Sequence, residues 1–231
     1  MNGRSLVAAA LVPLTLAAGV AVAAPPSDRV LPAEQYTTDK GRALAAAHRG
    51  ALQELNSGLY HCWPWVEVQK ASIGFYRPKN ATQDDRYLST RIYIEQDPSP
   101  AFARLKFEER ATAMFSRYVG PLLRRMTKSP ALAADPKLDG FTAILEWMKP
   151  AAPVGGRPVH ETVAIFIDKP TALDYLQSRT DIRTLSSKAR VLGFDGETPL
   201  GTIAIGPAWD DNFVTTFKVA NYQLEPGVVC Q

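Results

Sequence analysis

Apolar residues recur at steps of three or four between Leu44 and Leu59, which is the spacing of one face of an α-helix. A threonine before this stripe, Thr37 or Thr38, can accept a hydrogen bond from the first turn and so cap the helix. Pro64 cannot continue a helix. The first helix is therefore predicted between these residues.

A second apolar stripe predicts a long helix over 101–126. Gly120 and Pro121 fall inside it. Because proline lacks the amide hydrogen that bonds the preceding turn, they are expected to kink or split this helix. A third, shorter helix is expected over 171–178.

Polar and apolar residues alternate over 87–95, which predicts a strand with one buried and one solvated face. This pattern is typical of antiparallel sheets, because strands of parallel sheets are usually buried on both faces. Similar segments predict further strands over 66–77, 141–148, 161–168, 188–194, 200–205 and 213–219. Asp195 and Gly196 suit a hairpin turn between the fourth and fifth of these segments.

These elements predict an α+β fold, in which two longer helices and one short helix pack on a mainly antiparallel sheet. Segments 89–102 and 162–173 resemble one another, since each contains a strand, an acid, a proline and the start of a helix. Either a duplicated helix-strand-strand unit or chance convergence accounts for this likeness. A single α+β domain is expected over 37–231, after a flexible N-terminal segment at 24–36.

The most hydrophobic part of the chain is its beginning. Arg4 is the only charged residue before Asp28, and a nearly continuous apolar run follows it. This pattern predicts a secretory signal peptide over residues 1–23, because the small residues Ala21 and Ala23 fit the cleavage site. A permanent membrane anchor is the alternative, but the run contains a proline and a glycine and is short for a span. The mature protein is expected to be periplasmic or extracellular.

Export changes the interpretation of the two cysteines, Cys62 and Cys230. An even number of cysteines in an oxidising compartment usually forms disulfide bonds. A bridge that closes so long a loop would stabilise the fold by about 4 to 5 kcal/mol in the chain-entropy model. Two buried thiols, or a reactive cysteine beside His61, are the alternatives.

The composition is that of a globular domain, with 46% hydrophobic and 21% charged residues. Loss of Arg4 with the signal peptide leaves 25 basic residues against 23 acidic ones, and this balance gives no support for a nucleic-acid partner. The charge is nevertheless uneven. Residues 77–128 include 11 basic and 6 acidic side chains, whereas residues 129–231 include 9 basic and 12 acidic ones.

Part of this positive charge falls on the second predicted helix. Arg110, Arg117, Arg124 and Arg125 would share one face of it. Such a face could bind an anionic envelope polymer or lipid headgroup, although basic helix faces are often only solvated.

No catalytic motif is present: the chain lacks a nucleophile elbow, a phosphate-binding loop and paired metal-binding histidines. Glu95 and Asp168 each end a predicted strand, and in a duplicated unit they would lie together as the two acids of a hydrolase. Capping of the following helices is the simpler alternative. His160 is a third catalytic candidate, whereas His48 falls on the apolar stripe of the first helix and is expected to pack in the core.

His160 also offers a metal ligand together with Glu161 and Asp168. Neighbouring residues of a strand point to opposite faces, so His160 and Glu161 cannot both bind one ion without a bulge. Neither a metal site nor a cofactor is predicted.

Aromatic residues cluster behind the first helix, at Trp63, Trp65, Phe75, Tyr76 and Tyr93. Exposed members of this cluster could stack on sugar rings or hold a peptide, and core packing is the alternative. With no catalytic motif and an uneven charge, the sequence favours an exported, non-enzymatic protein that binds a ligand or partner of the cell envelope. The alternative is a small envelope hydrolase that uses acidic residues.

Overall fold

The computed structural model of the chain describes residues 23–79, 81–95, 100–149, 158–206, 224 and 228–230. Most of the expected signal peptide and the expected strand 213–219 lie outside the described residues. The described helices are α1 (Asp39–Ala47), α2 (Arg49–Cys62), α3 (Pro100–Ala103), α4 (Phe107–Met126), α5 (Pro130–Ala134), α6 (Lys169–Leu176) and α7 (Ile182–Lys188). The described strands are β1 (Val66–Val68), β2 (Gly74–Tyr76), β3 (Tyr87–Ile94), β4 (Gly140–Met148), β5 (His160–Asp168), β6 (Arg190–Asp195) and β7 (Thr198–Thr202).

The α+β class is confirmed, but the described part of the chain contains seven α-helices rather than three. The first predicted helix is divided into α1 and α2 at His48, whose backbone (φ −116°, ψ 18°) leaves the helical region. Thr38 caps α1, since its hydroxyl accepts a hydrogen bond from the amide of Gly41. Helix α7 was not predicted, because seven residues are too few to show a hydrophobic period.

The predicted helix 101–126 corresponds to α3 and α4, and the break between them lies before Phe107. Helix α4 continues through Gly120 and Pro121, where the sequence placed the break. Gly120 packs closely on α6, because a Cβ atom at this position would overlap the hydroxyl of Tyr175. None of the described helices combines the length and the apolar surface that a membrane span requires.

The strands form one mixed sheet in the order β1-β3-β4-β5-β6-β7, with β2 also paired to β3. Strands β3 and β4 are parallel, whereas the other described pairings are antiparallel. A parallel pair requires a crossover connection, and α3, α4 and α5 supply it. The alternation over 87–95 indicates which side chains are buried but not the direction of the neighbouring strand. The parallel pairing of β3 with β4 could therefore not be predicted from it. The duplicated unit stays a prediction.

Alternate residues of the central strands point to the two faces of the sheet. One face is buried against the helices and forms the core, with Leu88, Ile92, Ile94, Phe141, Leu145, Trp147, Val163, Ile165 and Ile167. The opposite face, called the outer face below, carries Ser89, Arg91, Tyr93, Thr142, Ile144, Glu146, Thr162 and Phe166.

The N-terminal segment 24–36 contacts the domain, and its expected flexibility stays a prediction. It forms two short 3₁₀-helices, Ser27–Arg29 and Ala33–Gln35. Tyr36 is buried, and its hydroxyl accepts a hydrogen bond from the amide of Phe75 at 3.0 Å. These contacts are with residues distant in sequence, and the polar composition of the segment gave no sign of them.

Cys62 and Cys230 form a disulfide bond, as predicted. The bond joins the last residue of α2 to a residue 168 positions later in the chain. It therefore closes most of the domain into a single covalent loop.

Asp135, which follows α5, binds His48 at the junction of α1 and α2. Nε2 of His48 lies 2.8 Å from Oδ2 of Asp135, and the amide of Lys137 donates to Oδ1 at 2.8 Å. His48 is buried, as expected of a packing residue. Burial opposes the charge on Asp135, but the hydrogen bonds with His48 and Lys137 outweigh it and lower the pKa of this carboxyl.

A lowered pKa means that the ionised form of Asp135 stabilises the folded state. This contribution is complete above about pH 4, the usual pKa of the carboxyl in an unfolded chain, and is lost as the pH falls through the lower folded-state pKa. We expect Asp135→Asn to reduce the Tm at neutral pH and to weaken the fall of the Tm below pH 4. Circular dichroism melts at several pH values measure both effects, and an unchanged acid dependence would contradict the assignment.

Candidate functional site

The structure separates the two acids that the sequence offered as a catalytic pair. The hydroxyl of Tyr87, at the start of β3, donates to Asp168 at 2.5 Å. Glu95 follows the other end of this eight-residue strand, which spans about 26 Å. Paired glycosidase carboxylates lie only about 5–10 Å apart. Glu95 and Asp168 therefore do not belong to one site.

His160 belongs to a polar network on the outer face. Its Nδ1 lies 2.9 Å from Oε1 of Glu146, and Oε2 of Glu146 accepts hydrogen bonds from Arg91. Glu161 points to the core face and Asp168 lies at the other end of β5, so neither joins His160. Among the described residues, no group of three or more His, Cys, Asp or Glu side chains is arranged to hold a metal ion.

Arg110 is buried and does not belong to an exposed basic face, contrary to the prediction. Its Nε donates to Oε2 of Glu161 at 2.7 Å, and its Nη2 donates to Oε1 of the same carboxylate. Nε1 of Trp147 donates to Oε2 at 2.8 Å. The two charged side chains are only 9% and 2% exposed. This pair anchors α4 to the centre of the sheet, and a sequence separation of 51 residues concealed it.

The other three arginines of the predicted face lie closer to the surface. Arg117 is half-buried and Arg124 is exposed. The guanidinium of Arg125 lies over the ring of Trp63, 5.2 Å from its centroid. Arg124, Arg125 and Trp63 line a cleft of about 850 Å³ between α2 and the C-terminal half of α4. This space is called the interhelical cleft below.

The aromatic cluster is divided between the core and the surface. Trp63 and Phe75 belong to the core. Tyr76 lines a groove on the outer face, whereas Trp65 and Tyr93 line a different cleft at the edge of the sheet. Two of the aromatic residues therefore have the packing role, and three are placed where a ligand could reach them.

A groove of about 430 Å³ lies on the outer face of the sheet. Four cationic side chains line it, and none of the described residues that line it is acidic. The cations are Lys70, Arg77, Lys79 and Arg91. The floor is formed by Ser89, Thr142, Ile144 and Phe166, which belong to β3, β4 and β5. This space is called the cationic groove below.

The wall of the cationic groove between β1 and β2 is held in place by hydrogen bonds. Ala71 has a φ of 50°, in the left-handed region that a residue with a Cβ atom rarely adopts. Its amide donates to the carbonyl of Asp28 at 2.8 Å, and its carbonyl accepts from the hydroxyl of Tyr76. Burial raises the pKa of Tyr76 to about 12, so this hydroxyl stays a donor near neutral pH. The wall is therefore preformed.

The four cations differ in how far acids neutralise them. Arg91 is paired with Glu146, 2.7 Å from its Nη2, and Lys70 lies 3.6 Å from Asp28 with both side chains largely exposed. Within the described residues, Arg77 and Lys79 form no ion pair. The groove therefore has an excess of positive charge at its exposed wall.

The sequence indicated an excess of cations over 77–128 but assigned it to the second helix. Arg77 and Lys79 lie in the connection after β2, and Arg91 points outward from β3, as its place in the alternating pattern indicated. Lys70 comes from the connection before β2. The pairing of β1 and β2 with β3 brings these residues together, so local patterns could not identify the groove.

The fold and this surface define an α+β protein with a mixed sheet, one face of which carries a cationic groove. Comparisons of the chain with protein-family models, curated proteins and solved structures give no match. Function is therefore inferred from the described residues themselves.

Proposed function

We propose that the protein is exported and binds, without catalysis, an anionic component of the cell envelope in the cationic groove. The convergence of four cations, with no acid among the described lining residues, carries this proposal. Lys and Arg are the side chains with which proteins hold phosphate and carboxylate groups. The pattern of the first 23 residues and the Cys62–Cys230 bond support export.

The groove offers donors of two kinds to an anionic group. Arg77 and Lys79 supply positive charge that no described acid neutralises. Arg91 binds Glu146 through Nε and Nη2, which leaves its Nη1 to donate to a ligand. The hydroxyls of Ser89 and Thr142 on the floor can donate to oxygen atoms of the same ligand. A preformed wall reduces the ordering cost of binding.

The interhelical cleft is less suited to an anion. Lys128 in this cleft is paired with Glu54 at 2.9 Å, and Arg125 is engaged with the ring of Trp63. Two of its cations therefore already have partners. The exposed Arg124 lies over the ring of Tyr175, 6.0 Å from its centroid.

A hydrolase that combines Glu95 with Asp168 is not supported by their positions, since the two acids lie at opposite ends of the sheet. Binding at the cationic groove requires no such pair. Non-enzymatic binding is therefore the preferred function.

The double variant Arg77→Gln and Lys79→Gln tests the proposal. A cation beside an anionic surface contributes about 1 kcal/mol, so removal of two should weaken binding about 30-fold at low salt. Sedimentation with phosphatidylglycerol vesicles and calorimetry with soluble polyphosphate measure the affinity. If the protein binds vesicles but not polyphosphate, the ligand is a lipid headgroup. If it binds polyphosphate but not vesicles, the ligand is a soluble polymer.

Arg183→Gln with Lys188→Gln is the matched control, because it removes the same charge from two exposed residues of α7. This control should keep the parental affinity. An equal loss in the control would mean that net charge alone governs binding. A loss in Arg124→Gln without one in the groove variant would move the site to the interhelical cleft, and either result would overturn the proposal.

A further inference from the structure

A second cleft, of about 490 Å³, lies at the edge of the sheet that β1 forms. It is bounded by β1, the C-terminal end of α2 and the N-terminal segment. The lining residues on which the following inference depends are Arg29, Asn56, Tyr60, Trp65, Glu67 and Tyr93. This space is called the aromatic cleft below.

We propose that the aromatic cleft binds a pyranose ring of a neutral saccharide. Tyr60 belongs to α2, Trp65 to the connection before β1 and Tyr93 to β3, and all three line one space. Tyr60 is 37% exposed and the other two are half-buried, so part of each ring remains accessible. The C–H face of a sugar ring packs on aromatic rings, and a cleft of this size with a few polar groups is typical of a small-ligand site.

The charges in the aromatic cleft select against ions of either sign. Arg29 repels a cation, whereas Glu67 and Glu95 repel an anion. Arg29 and Glu67 lie 3.7 Å apart, so a donor and an acceptor stand side by side. A sugar hydroxyl both donates and accepts hydrogen bonds, and it therefore matches this mixed pair better than a phosphate or an ammonium group does.

Asn56 is a buried polar residue of the cleft wall. The residue is only 4% exposed, and its Nδ2 donates to the carbonyl of Pro26 at 2.8 Å, which fixes the orientation of the amide. Its Oδ1 has no hydrogen-bond partner among the described residues. A buried acceptor without a partner destabilises a fold. Asn56 lines both the aromatic cleft and the neighbouring cleft of the N-terminal segment, and its Oδ1 is shielded from solvent, so the residue is part of the cleft wall.

Neighbouring rings hold two of the aromatic side chains in position. The ring of Tyr93 lies 5.1 Å from that of His160, and the ring of Tyr60 meets His61 edge-on at 4.9 Å. The binding surface is therefore present before a ligand arrives, which lowers the ordering cost of recognition.

Saturation-transfer NMR and calorimetry with tetrasaccharides of glucose, mannose and N-acetylglucosamine test this proposal on the full mature chain. We expect saturable binding of at least one of them, with transfer to the C–H protons of a sugar ring. Tyr60→Ala should weaken that binding about tenfold, since one stacking surface is lost. This variant is expected to fold, because Tyr60 is exposed on α2. Glu67→Gln, at a second exposed position, should also lower the affinity.

Leu200→Ala is the control, since this side chain is 44% exposed on β7 at the opposite edge of the sheet. It should leave saccharide binding unchanged. Absence of saturable binding to all three tetrasaccharides at millimolar concentration would overturn the proposal. Tighter binding of an oligolysine peptide would overturn it as well.

The aromatic cleft and the cationic groove are distinguished by the same reagents. The double variant Arg77→Gln and Lys79→Gln should bind the saccharide with parental affinity, and polyphosphate should not displace it. Saccharide binding with no polyphosphate binding would support the aromatic cleft and reject the cationic groove. Displacement by polyphosphate would place both ligands in one site and reject a separate saccharide site.

Discussion

Glu161→Leu is expected to lower the free energy of unfolding by about 3–5 kcal/mol, because it leaves the charge of Arg110 buried without a partner. The variant also removes the acceptor of the Trp147 indole, and a buried donor without a partner adds to the loss. Urea unfolding followed by circular dichroism measures this difference. A variant that unfolds at the parental urea concentration would show that the pair does not hold α4 to the sheet.

The double variant Arg110→Met and Glu161→Leu separates the burial of an unpaired charge from a simple loss of packing. With both charges replaced by apolar side chains of similar length, most of the stability should return, because desolvation of the ion pair is also avoided. The interaction free energy from the two single variants and the double variant measures the coupling. Additive losses would contradict the assignment of a coupled pair.

Helices and strands whose apolar residues form a clear local pattern could be predicted from the sequence. Strands expected over 141–148 and 161–168 correspond closely to β4 and β5, since each is a short and largely apolar segment of the kind that forms a strand buried on both faces. Helix α2 follows its apolar stripe in the same way. The break at His48 could not be predicted, because the residue keeps its place in the stripe while binding Asp135 from a distant segment.

Charged residues were harder to place than apolar ones. Arg110 and Arg124 belong to the same helix and the same type, yet one is buried against Glu161 and the other is exposed. The difference is that Arg110 has an acidic partner on the sheet. The helical spacing of residues in the sequence does not show which arginine has such a partner. The positions of Glu95 and Asp168 also depend on pairing between distant segments. Because β3 is parallel to β4 and β4 is antiparallel to β5, the two acids lie at opposite ends of the sheet.

The candidate sites depend on such distant pairings almost entirely. The pairing of β1 with β3 brings Lys70 close to Arg91, and together with the contact of α2 with β1 it brings Asn56 close to Tyr93. The sequence supplied the residue types, namely an excess of cations and a cluster of aromatics. It could not divide either set between core and surface, since that division depends on which face of the sheet the helices cover.

Replacing both cysteines, Cys62→Ser with Cys230→Ser, is expected to destabilise the protein by about 2–5 kcal/mol. The disulfide closes a loop of 168 residues, so its removal restores much conformational freedom to the unfolded chain. For a domain of this size the corresponding fall in the Tm is about 10 °C. Thermal unfolding under oxidising conditions measures it.

Reduction provides the internal control for this variant. Dithiothreitol should lower the Tm of the parent to that of the double variant and leave the variant itself unchanged, because the variant has no bond to reduce. If reductant lowers the Tm of both proteins equally, the effect does not come from the disulfide. If it lowers neither, the bond does not constrain the unfolded chain. Agreement between the two routes would tie the stability of the domain to the oxidising compartment that its N-terminal sequence predicts.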